Sequence, residues 1–147
     1  MYISNLNLVF MKKLLVLILL VATASYGTAQ NLSSSYPVYN GKDLGLTYSP
    51  KAATFKIWAP TATAATLNLY KSDMGENAVR SINMNKGENG VWQITVPENL
   101  KNSYYTFQVH IGNAWSEEVV DPYAKACGTN GLRAQVIDLK ETNPIGW

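Results

Sequence analysis

Short segments with a period of two dominate the chain from about position 52 onward, where apolar and polar residues alternate between turn signals. The longest of these segments is 104–111, and its odd-numbered residues are all aromatic or aliphatic. Weaker alternation predicts further strands over 115–120 and 134–139, and Asn89-Gly90 is the sharpest hairpin signal. No part of this region shows helical periodicity over about ten residues. The predicted fold class is all-β, an immunoglobulin-like antiparallel β-sandwich of about seven short strands.

The N-terminal segment has the organisation of an export signal. Lys12 and Lys13 precede an uninterrupted apolar run, 14–22, and small residues come before Gln30. A basic region, a short apolar run and a small-residue exit are typical of a secretory signal peptide. The run is shorter than the roughly 20 apolar residues that a transmembrane helix needs. We therefore predict a cleaved signal peptide over 1–29 and a secreted or periplasmic location.

The rest of the chain is predicted to hold one domain, because about 118 residues can bury one modest core. Met11 is an alternative true start, since the residues before it are unusual for the basic region of a signal peptide. After the signal peptide we expect a flexible leader over 30–38, a β-sandwich over 39–140 and a linker toward a further domain over 141–147.

Charge and cysteine content exclude several classes of function. Without Lys12 and Lys13 the chain has ten basic and ten acidic side chains, so it lacks the positive charge of a nucleic-acid-binding domain. The single cysteine, Cys127, rules out a disulfide within the chain and is predicted to be a small buried residue. We expect no nucleic-acid partner and, after signal cleavage, no membrane partner.

The sequence contains no arrangement of residues typical of a catalytic or metal site. His110 is the only histidine, and its place on the polar face of a strand predicts exposure to solvent. One histidine and Cys127 are too few for a metal site. Glu117 and Glu118 are adjacent on a predicted strand, so their side chains should point to opposite faces. We predict no catalytic residue, no metal and no cofactor in this chain.

Two tryptophans stand apart from the predicted core. Trp58 is out of register with Phe55 and Ile57, and a place in an interface or in the core is favoured for it over stacking on a sugar. Trp115 follows the tight turn at Gly112, where its ring could pack, enter an interface or stack on a sugar.

Several motifs together resemble the N-terminal β-sandwich of type I pullulanases, the debranching enzymes of glycoside hydrolase family 13. That module is classed with carbohydrate-binding module family 48. The resemblance covers roughly 39–147, and its strength lies in the order and spacing of the motifs. The segments that carry it are 39–45, 54–60, 90–92, 104–107, 119–126, 130–131 and 142–147.

The resemblance implies a non-catalytic module that docks on and stabilises an (α/β)8 catalytic barrel. In the family the barrel supplies an aspartate nucleophile and a glutamate acid for hydrolysis of α-1,6-glucosidic bonds, and neither can be placed in this chain. Accordingly, 141–147 is expected to lead toward a catalytic domain that this chain lacks. An exposed apolar patch is expected near the docking residues. The predicted docking residues are Trp58, Asp121, Pro122, Tyr123 and Trp147.

A more distant resemblance, to the glycogen-binding modules of kinase regulatory subunits, implies where a glucan would bind. Those modules use two tryptophans and a lysine. Here Trp115 stands near one tryptophan position, Thr106 at the lysine position, and Tyr70-Lys71 near the other tryptophan position. Trp115, Tyr70 and Lys71 are therefore the predicted contacts for weak binding of pullulan, amylopectin or glycogen. Two alternatives stay open: a free-standing secreted starch- or glycogen-binding protein, and an immunoglobulin-like structural domain.

Overall fold

The computed structural model describes residues 36–75, 77–144 and 146. The predicted signal peptide over 1–29, the leader up to position 35 and Trp147 lie outside the described residues. Across the described ranges, no helix is long and apolar enough to cross a membrane. The strands are β1 (Gly45–Ser49), β2 (Ala52–Trp58), β3 (Ala64–Tyr70), β4 (Arg80–Asn83), β5 (Asn85–Lys86), β6 (Val91–Val96), β7 (Tyr104–Ile111), β8 (Ala114–Trp115) and β9 (Ala134–Gln135); short 3-10 turns cover Glu88–Gly90, Thr129–Gly131 and Leu139–Glu141.

The strands form two sheets. Sheet A has the order β1-β2-β6-β5, and sheet B has the order β4-β3-β7-β8, with β9 also paired to β7. Every pairing between these strands is antiparallel. The predicted antiparallel β-sandwich is therefore confirmed. The described part holds nine strands, of which β5, β8 and β9 are only two residues long.

The core lies between the sheets, where alternate residues of the central strands point inward. Phe55 of β2 and both Tyr105 and Phe107 of β7 are fully buried. The ring centroids of Phe55 and Tyr105 lie 4.9 Å apart, and those of Tyr105 and Phe107 lie 5.6 Å apart. Both pairs adopt the edge-to-face geometry that aromatic rings favour. The aromatic face of 104–111 thus supplies the centre of the core, while Ile111 at the end of the strand is exposed.

The hairpin predicted at Asn89-Gly90 joins β5 to β6. Asn89 has φ 53° and Gly90 has φ 78°, so both residues adopt the left-handed conformation. A side chain at Gly90 would place its Cβ 2.7 Å from the Cα of Pro60, which is closer than any real contact. Glycine is therefore required here both by the turn and by the close approach of the segment that follows β2.

The strand predicted over 115–120 is interrupted by a β-bulge. The N–H of Ser116 donates to the carbonyl oxygen of Val109 (2.8 Å), and the side-chain oxygen of Ser116 accepts from the N–H of Val109 (3.1 Å). Val119 then pairs with Phe107 in both directions. Two steps along β7 therefore oppose three steps along the partner segment, which is the definition of a bulge. If the segment continued in regular pairing from Ser116, Glu118 would lie opposite Phe107 and face the core.

Other local predictions also need correction. The sequence did not predict β1, which begins at Gly45, because the alternation of apolar residues there is too short. The strand expected over 134–139 ends after Gln135, because the chain turns into the 3-10 turn Leu139–Glu141, where the side chain of Asp138 accepts a hydrogen bond from the N–H of Lys140. Cys127 is exposed instead of buried, since it lies at the outer edge of sheet B, where it forms an isolated bridge with Ala134 of β9.

Candidate functional site

An apolar groove of about 330 Å³ opens along the edge of the sandwich, where the end of β2 approaches β7 and the segment after β8. The side chains at its rim are aromatic or aliphatic, and Trp58 (44% exposed) and Tyr123 (49% exposed) are the largest of them. The groove brings together Trp58, Pro122 and Tyr123, three of the five residues predicted to dock. The residues that line the groove are Ile57, Trp58, Ala59, Phe107, Val109, Val119, Pro122 and Tyr123.

Trp58 is held in a defined orientation at the rim of the groove. Its indole N–H donates to the carbonyl oxygens of Pro37 (3.2 Å) and Asn89 (3.0 Å). The polar atom of the ring is therefore satisfied inside the protein, while much of the ring surface stays exposed. A fixed aromatic ring with a satisfied N–H is well suited to contact, because little side-chain entropy is lost on binding.

Asp121 positions the groove and does not line it. The residue is 3% exposed, and its carboxylate accepts hydrogen bonds from the Tyr105 hydroxyl (2.7 Å) and from the backbone N–H of Tyr123 (2.8 Å). Burial, and then the charge of Asp121, raise the pKa of Tyr105. The side chain of Asp121 therefore caps the turn. The predicted docking contact is wrong for Asp121, because its side chain is enclosed between β7 and the 121–124 turn.

Gly45 lets the 121–124 turn approach β1. Its φ of 90° lies in the region that favours glycine, and an added Cβ would lie 2.7 Å from the Cβ of Tyr123. Tyr123 therefore sits directly against the backbone of β1, and its orientation at the groove depends on this contact.

Tyr70 is not available for sugar stacking. Its side chain is 2% exposed, and the guanidinium of Arg133 lies 3.6 Å from the ring centroid. Its hydroxyl donates to Glu118, and burial together with this bond raises the pKa of Tyr70. The structure thus corrects the prediction for Tyr70, because the ring is covered by protein on the outer face of sheet B.

Trp115 and Lys71 are exposed, but the fold does not place Trp115 beside Tyr70. Trp115 is 49% exposed and pairs with His110, whereas Tyr70 pairs with Tyr104 at the other end of β7. Six residues of strand separate these two registers, roughly 20 Å at about 3.3 Å per residue. The glucan contact predicted for Trp115 and Lys71 stays a prediction.

His110 is half-buried, so it is less exposed than its position on the strand predicts. Its Nδ1 lies 2.8 Å from the hydroxyl oxygen of Thr63, and its ring meets that of Trp115 edge-on at 5.3 Å. Among the residues that the structure describes, His, Cys, Asp and Glu form no group of three or more that could hold a metal ion.

The sequence assigned no role to Glu118 or Val119, which the bulge carries to opposite sides of sheet B. Val119 joins Phe107 in the groove. Glu118 reaches over the outer face, where it accepts hydrogen bonds from Tyr70 and from Thr106 (2.8 Å). An assumed two-residue period does not predict where these two side chains lie, because it takes no account of the bulge. The one available signal was Ser116, since a serine side chain can accept a hydrogen bond from a backbone N–H in place of a backbone carbonyl.

Two antiparallel sheets with an exposed aromatic groove at one edge place this chain among small β-sandwich binding modules. Residues 43–124 match the family model of carbohydrate-binding module 48 (isoamylase N-terminal domain), which is more than half of the chain. The chain belongs to this family.

The similar proteins include pullulanases. The chain is 34% identical over 110 residues to the pullulanase of Bacillus subtilis (strain 168), covering 73% of this chain and 15% of that protein. It is 31% identical over 111 residues to the pullulanase of Klebsiella aerogenes, covering 70% of this chain and 10% of that protein. The chain therefore spans a small fraction of the length of these curated relatives.

Solved structures of pullulanases resemble the fold. The pullulanase of Paenibacillus barengoltzii, in complex with maltohexaose and α-cyclodextrin, matches with 44% identity and a TM-score of 0.72, over 75% of this chain and 17% of that one. The pullulanase of Bacillus acidopullulyticus matches with 42% identity and a TM-score of 0.72, over 77% of this chain and 14% of that one.

Proposed function

We propose that this chain is the non-catalytic N-terminal module of a secreted, pullulanase-type α-glucan debranching enzyme. In such an enzyme the module docks on the catalytic (α/β)8 barrel and stabilises it, while the barrel hydrolyses α-1,6-glucosidic bonds. The observation that carries the proposal is the apolar groove, whose rim exposes Trp58, Val119 and Tyr123.

The chemistry of the groove favours a protein partner. Contiguous apolar surface with aromatic residues at its centre is typical of interfaces and is uncommon on isolated domains. Both rings are also pre-oriented, Trp58 by its two hydrogen bonds and Tyr123 by the Asp121 cap and the contact with Gly45. A rigid aromatic anchor contributes more to an interface than a flexible side chain of the same size.

The comparisons support a larger parent protein. This chain corresponds to between 10% and 17% of the pullulanases described above, so most of each of those proteins has no counterpart here. One of those structures contains maltohexaose, which is consistent with an α-glucan as the substrate class of the proposed parent.

A chimaeric enzyme tests the docking role. The corresponding segment of the Bacillus subtilis pullulanase would be replaced by 36–147 of this chain, and thermal unfolding of the chimaera would be followed with and without substitutions in the groove. Trp58→Ala and Tyr123→Ala are each expected to lower the unfolding temperature, since truncating a central aromatic anchor costs an interface roughly 1 kcal/mol or more. Leu132→Ala is the control, because Leu132 is also an exposed apolar residue and lies outside the groove.

The same substitutions in the isolated chain separate docking from intrinsic folding stability. If docking is correct, they destabilise the chimaera more than the isolated chain. Equal losses in both proteins would contradict the docking role, as would a chimaera that responds to Leu132→Ala as strongly as to the groove variants.

A further inference from the structure

The chain contains three Asn-Gly pairs, at 40–41, 89–90 and 130–131. In this dipeptide the asparagine side chain can react with the backbone nitrogen of the glycine, because glycine has no Cβ to obstruct the approach. The backbone nitrogen first loses its proton and then forms a bond to the side-chain carbonyl carbon. The bond from that carbon to the side-chain nitrogen breaks, and ammonia leaves with the proton.

Water completes the reaction. It opens the five-membered imide ring at either of its two carbonyl carbons, so the product is aspartate or isoaspartate. In both products a carboxylate replaces the side-chain amide, and water has been exchanged for ammonia. Isoaspartate also carries one additional carbon in the main chain, so the product changes both the charge and the length of the segment.

The backbone conformation of two of the pairs opposes this reaction. Asn89 has φ 53° and ψ 31°, and Asn130 has φ 56° and ψ 16°, so both adopt the left-handed conformation. A small positive ψ places the nitrogen of the next residue nearly trans to the side chain across the Cα–C bond. The nitrogen of the glycine therefore cannot reach the side-chain carbonyl carbon until the turn opens.

Hydrogen bonds hold both of these turns closed. The carbonyl oxygen of Asn89 accepts from the indole N–H of Trp58 (3.0 Å), and Gly90 is buried. In the other pair the N–H of Gly131, which is the attacking group, donates to the carbonyl oxygen of Gly128 (3.1 Å). Opening either turn breaks these bonds, so the reactive conformation is a minor one in the folded protein.

The pair Asn40-Gly41 has neither form of protection. It precedes β1, both residues are exposed, and Asn40 does not adopt the left-handed conformation. Within the part of the chain that the structure describes, neither the N–H of Gly41 nor the side chain of Asn40 has a hydrogen-bond partner. This backbone can therefore rotate into the reactive conformation without breaking a hydrogen bond of the pair.

The pair lies between two anchors of the segment that precedes β1. On one side, the carbonyl oxygen of Pro37 accepts from the indole N–H of Trp58 (3.2 Å). On the other side, the hydroxyl of Tyr39 donates to Asp43 across the pair. An additional main-chain carbon at Asn40 would change the spacing that the bond from Tyr39 to Asp43 requires, and the new carboxylate would lie three positions from that of Asp43.

We propose that Asn40 is a site of spontaneous modification, at which the side-chain amide becomes a carboxylate while the turns protect Asn89 and Asn130. The co-reactant is water. The modified chain carries one additional negative charge, and its segment 36–43 holds the ring of Trp58 less firmly. This modification does not depend on the docking role proposed above.

Incubation of the purified chain in mildly alkaline buffer, followed by digestion and peptide mass spectrometry, tests the proposal. Each conversion raises the mass of its peptide by about 1 Da. A parallel incubation in guanidinium chloride gives the rates of the three pairs in the unfolded chain. In the folded chain we expect Asn40 to react close to its unfolded rate, and Asn89 and Asn130 to react about tenfold more slowly than theirs or less. The rate at Asn40 should increase with pH, because the backbone nitrogen must lose its proton.

Two variants identify the reacting residue. Asn40→Gln should abolish the acidic form that ion exchange separates, because glutamine would have to close a larger ring. Asn130→Gln is the matched control and should leave the amount of acidic form unchanged. In the acidic form, hydrogen exchange at the indole N–H of Trp58, followed by NMR, should be faster than in the fresh chain.

Several outcomes would overturn the proposal. They are folded-state protection of Asn40 as strong as that of Asn89, faster reaction at Asn89 or Asn130 than at Asn40, and an acidic form that persists in Asn40→Gln. Unchanged exchange at Trp58 in the acidic form would overturn the predicted effect on the segment. The groove variants of the chimaera are measured on fresh protein, so docking and modification can fail independently.

Discussion

The two outer faces of this sandwich contain similar residue types and use them in opposite ways. On sheet B, Asn68, Tyr70 and Thr106 are buried and bonded within the protein. On sheet A, Thr95 and Gln93 are exposed to solvent. A polar face contributes to stability where a further segment covers it, and it remains available for ligands where nothing in the described part of the chain covers it.

One extra residue accounts for much of this difference. The bulge between Ser116 and Val119 turns Glu118 out of the core and over sheet B, where it accepts from two buried hydroxyls. Sheet A has regular pairing from Ala53 to Trp58 against β6, so no side chain is redirected across its face. The comparison between the two faces can be tested by altering, in turn, the bulge, the hydrogen bonds that Glu118 accepts, and the exposed outer face of sheet A.

Deleting Glu117 should have the largest effect, because it removes the extra residue and straightens the bulge. Regular pairing from Ser116 would then set Glu118 opposite Gln108 and keep Val119 opposite Phe107. The bulge would no longer direct the carboxylate onto the buried hydroxyls of sheet B, so we expect a loss of more than about 2 kcal/mol in the free energy of unfolding.

Urea unfolding followed by tryptophan fluorescence measures this loss. Glu117→Ala keeps the chain length and should be nearly neutral, so it is the control. A deletion variant as stable as Glu117→Ala would refute the role of the bulge.

Removing the carboxylate alone should have an intermediate effect. Glu118→Ala leaves the buried hydroxyls of Tyr70 and Thr106 without their charged acceptor, so we expect a loss of about 2 kcal/mol in the free energy of unfolding. Gln93→Ala, on the open face of sheet A, should change it by less than about 0.5 kcal/mol. Equal effects of the two substitutions in chemical denaturation would show that the faces do not differ.

The smallest effect should come from the ion pair between Lys56 and Asp43, at the outer face of sheet A. Lys56 and then Tyr39 lower the pKa of Asp43 in the folded protein. A lowered folded-state pKa stabilises the protein above the unfolded value of 3.8, and this contribution is lost as the pH falls through the folded-state pKa. Unfolding curves between about pH 6 and pH 2 should therefore show a slightly weaker decline for Asp43→Asn than for the unaltered chain. A steeper decline in the variant would contradict the assignment.

The fold class and the aromatic core followed from the sequence because they depend on periodicity. Alternation in 104–111 predicted β7 and the burial of Tyr105 and Phe107, and Asn89-Gly90 predicted the hairpin into β6. Such alternation involves only neighbouring residues, so it can be read directly from the order of apolar and polar side chains in the sequence.

The candidate sites were harder to predict. Trp58 was singled out by its register and Pro122 and Tyr123 by their motif, and the structure places all three in one groove, whereas Asp121 and Tyr70 are buried. Whether a polar or aromatic residue is covered depends on segments distant in sequence. Arg133, for instance, lies over Tyr70 although sixty-three positions separate them in the chain, a distance that no local pattern encodes.

The sequence by itself determined that the chain forms short antiparallel strands around an aromatic core, because the two-residue period decides which side chains face inward. It also determined membership of a family of carbohydrate-binding modules through the order of its motifs. Only the tertiary structure decided which outer face is closed and which is open. That outcome depends on a bulge of one residue and on the segments that fold back over sheet B, and both act through contacts between residues far apart in the chain.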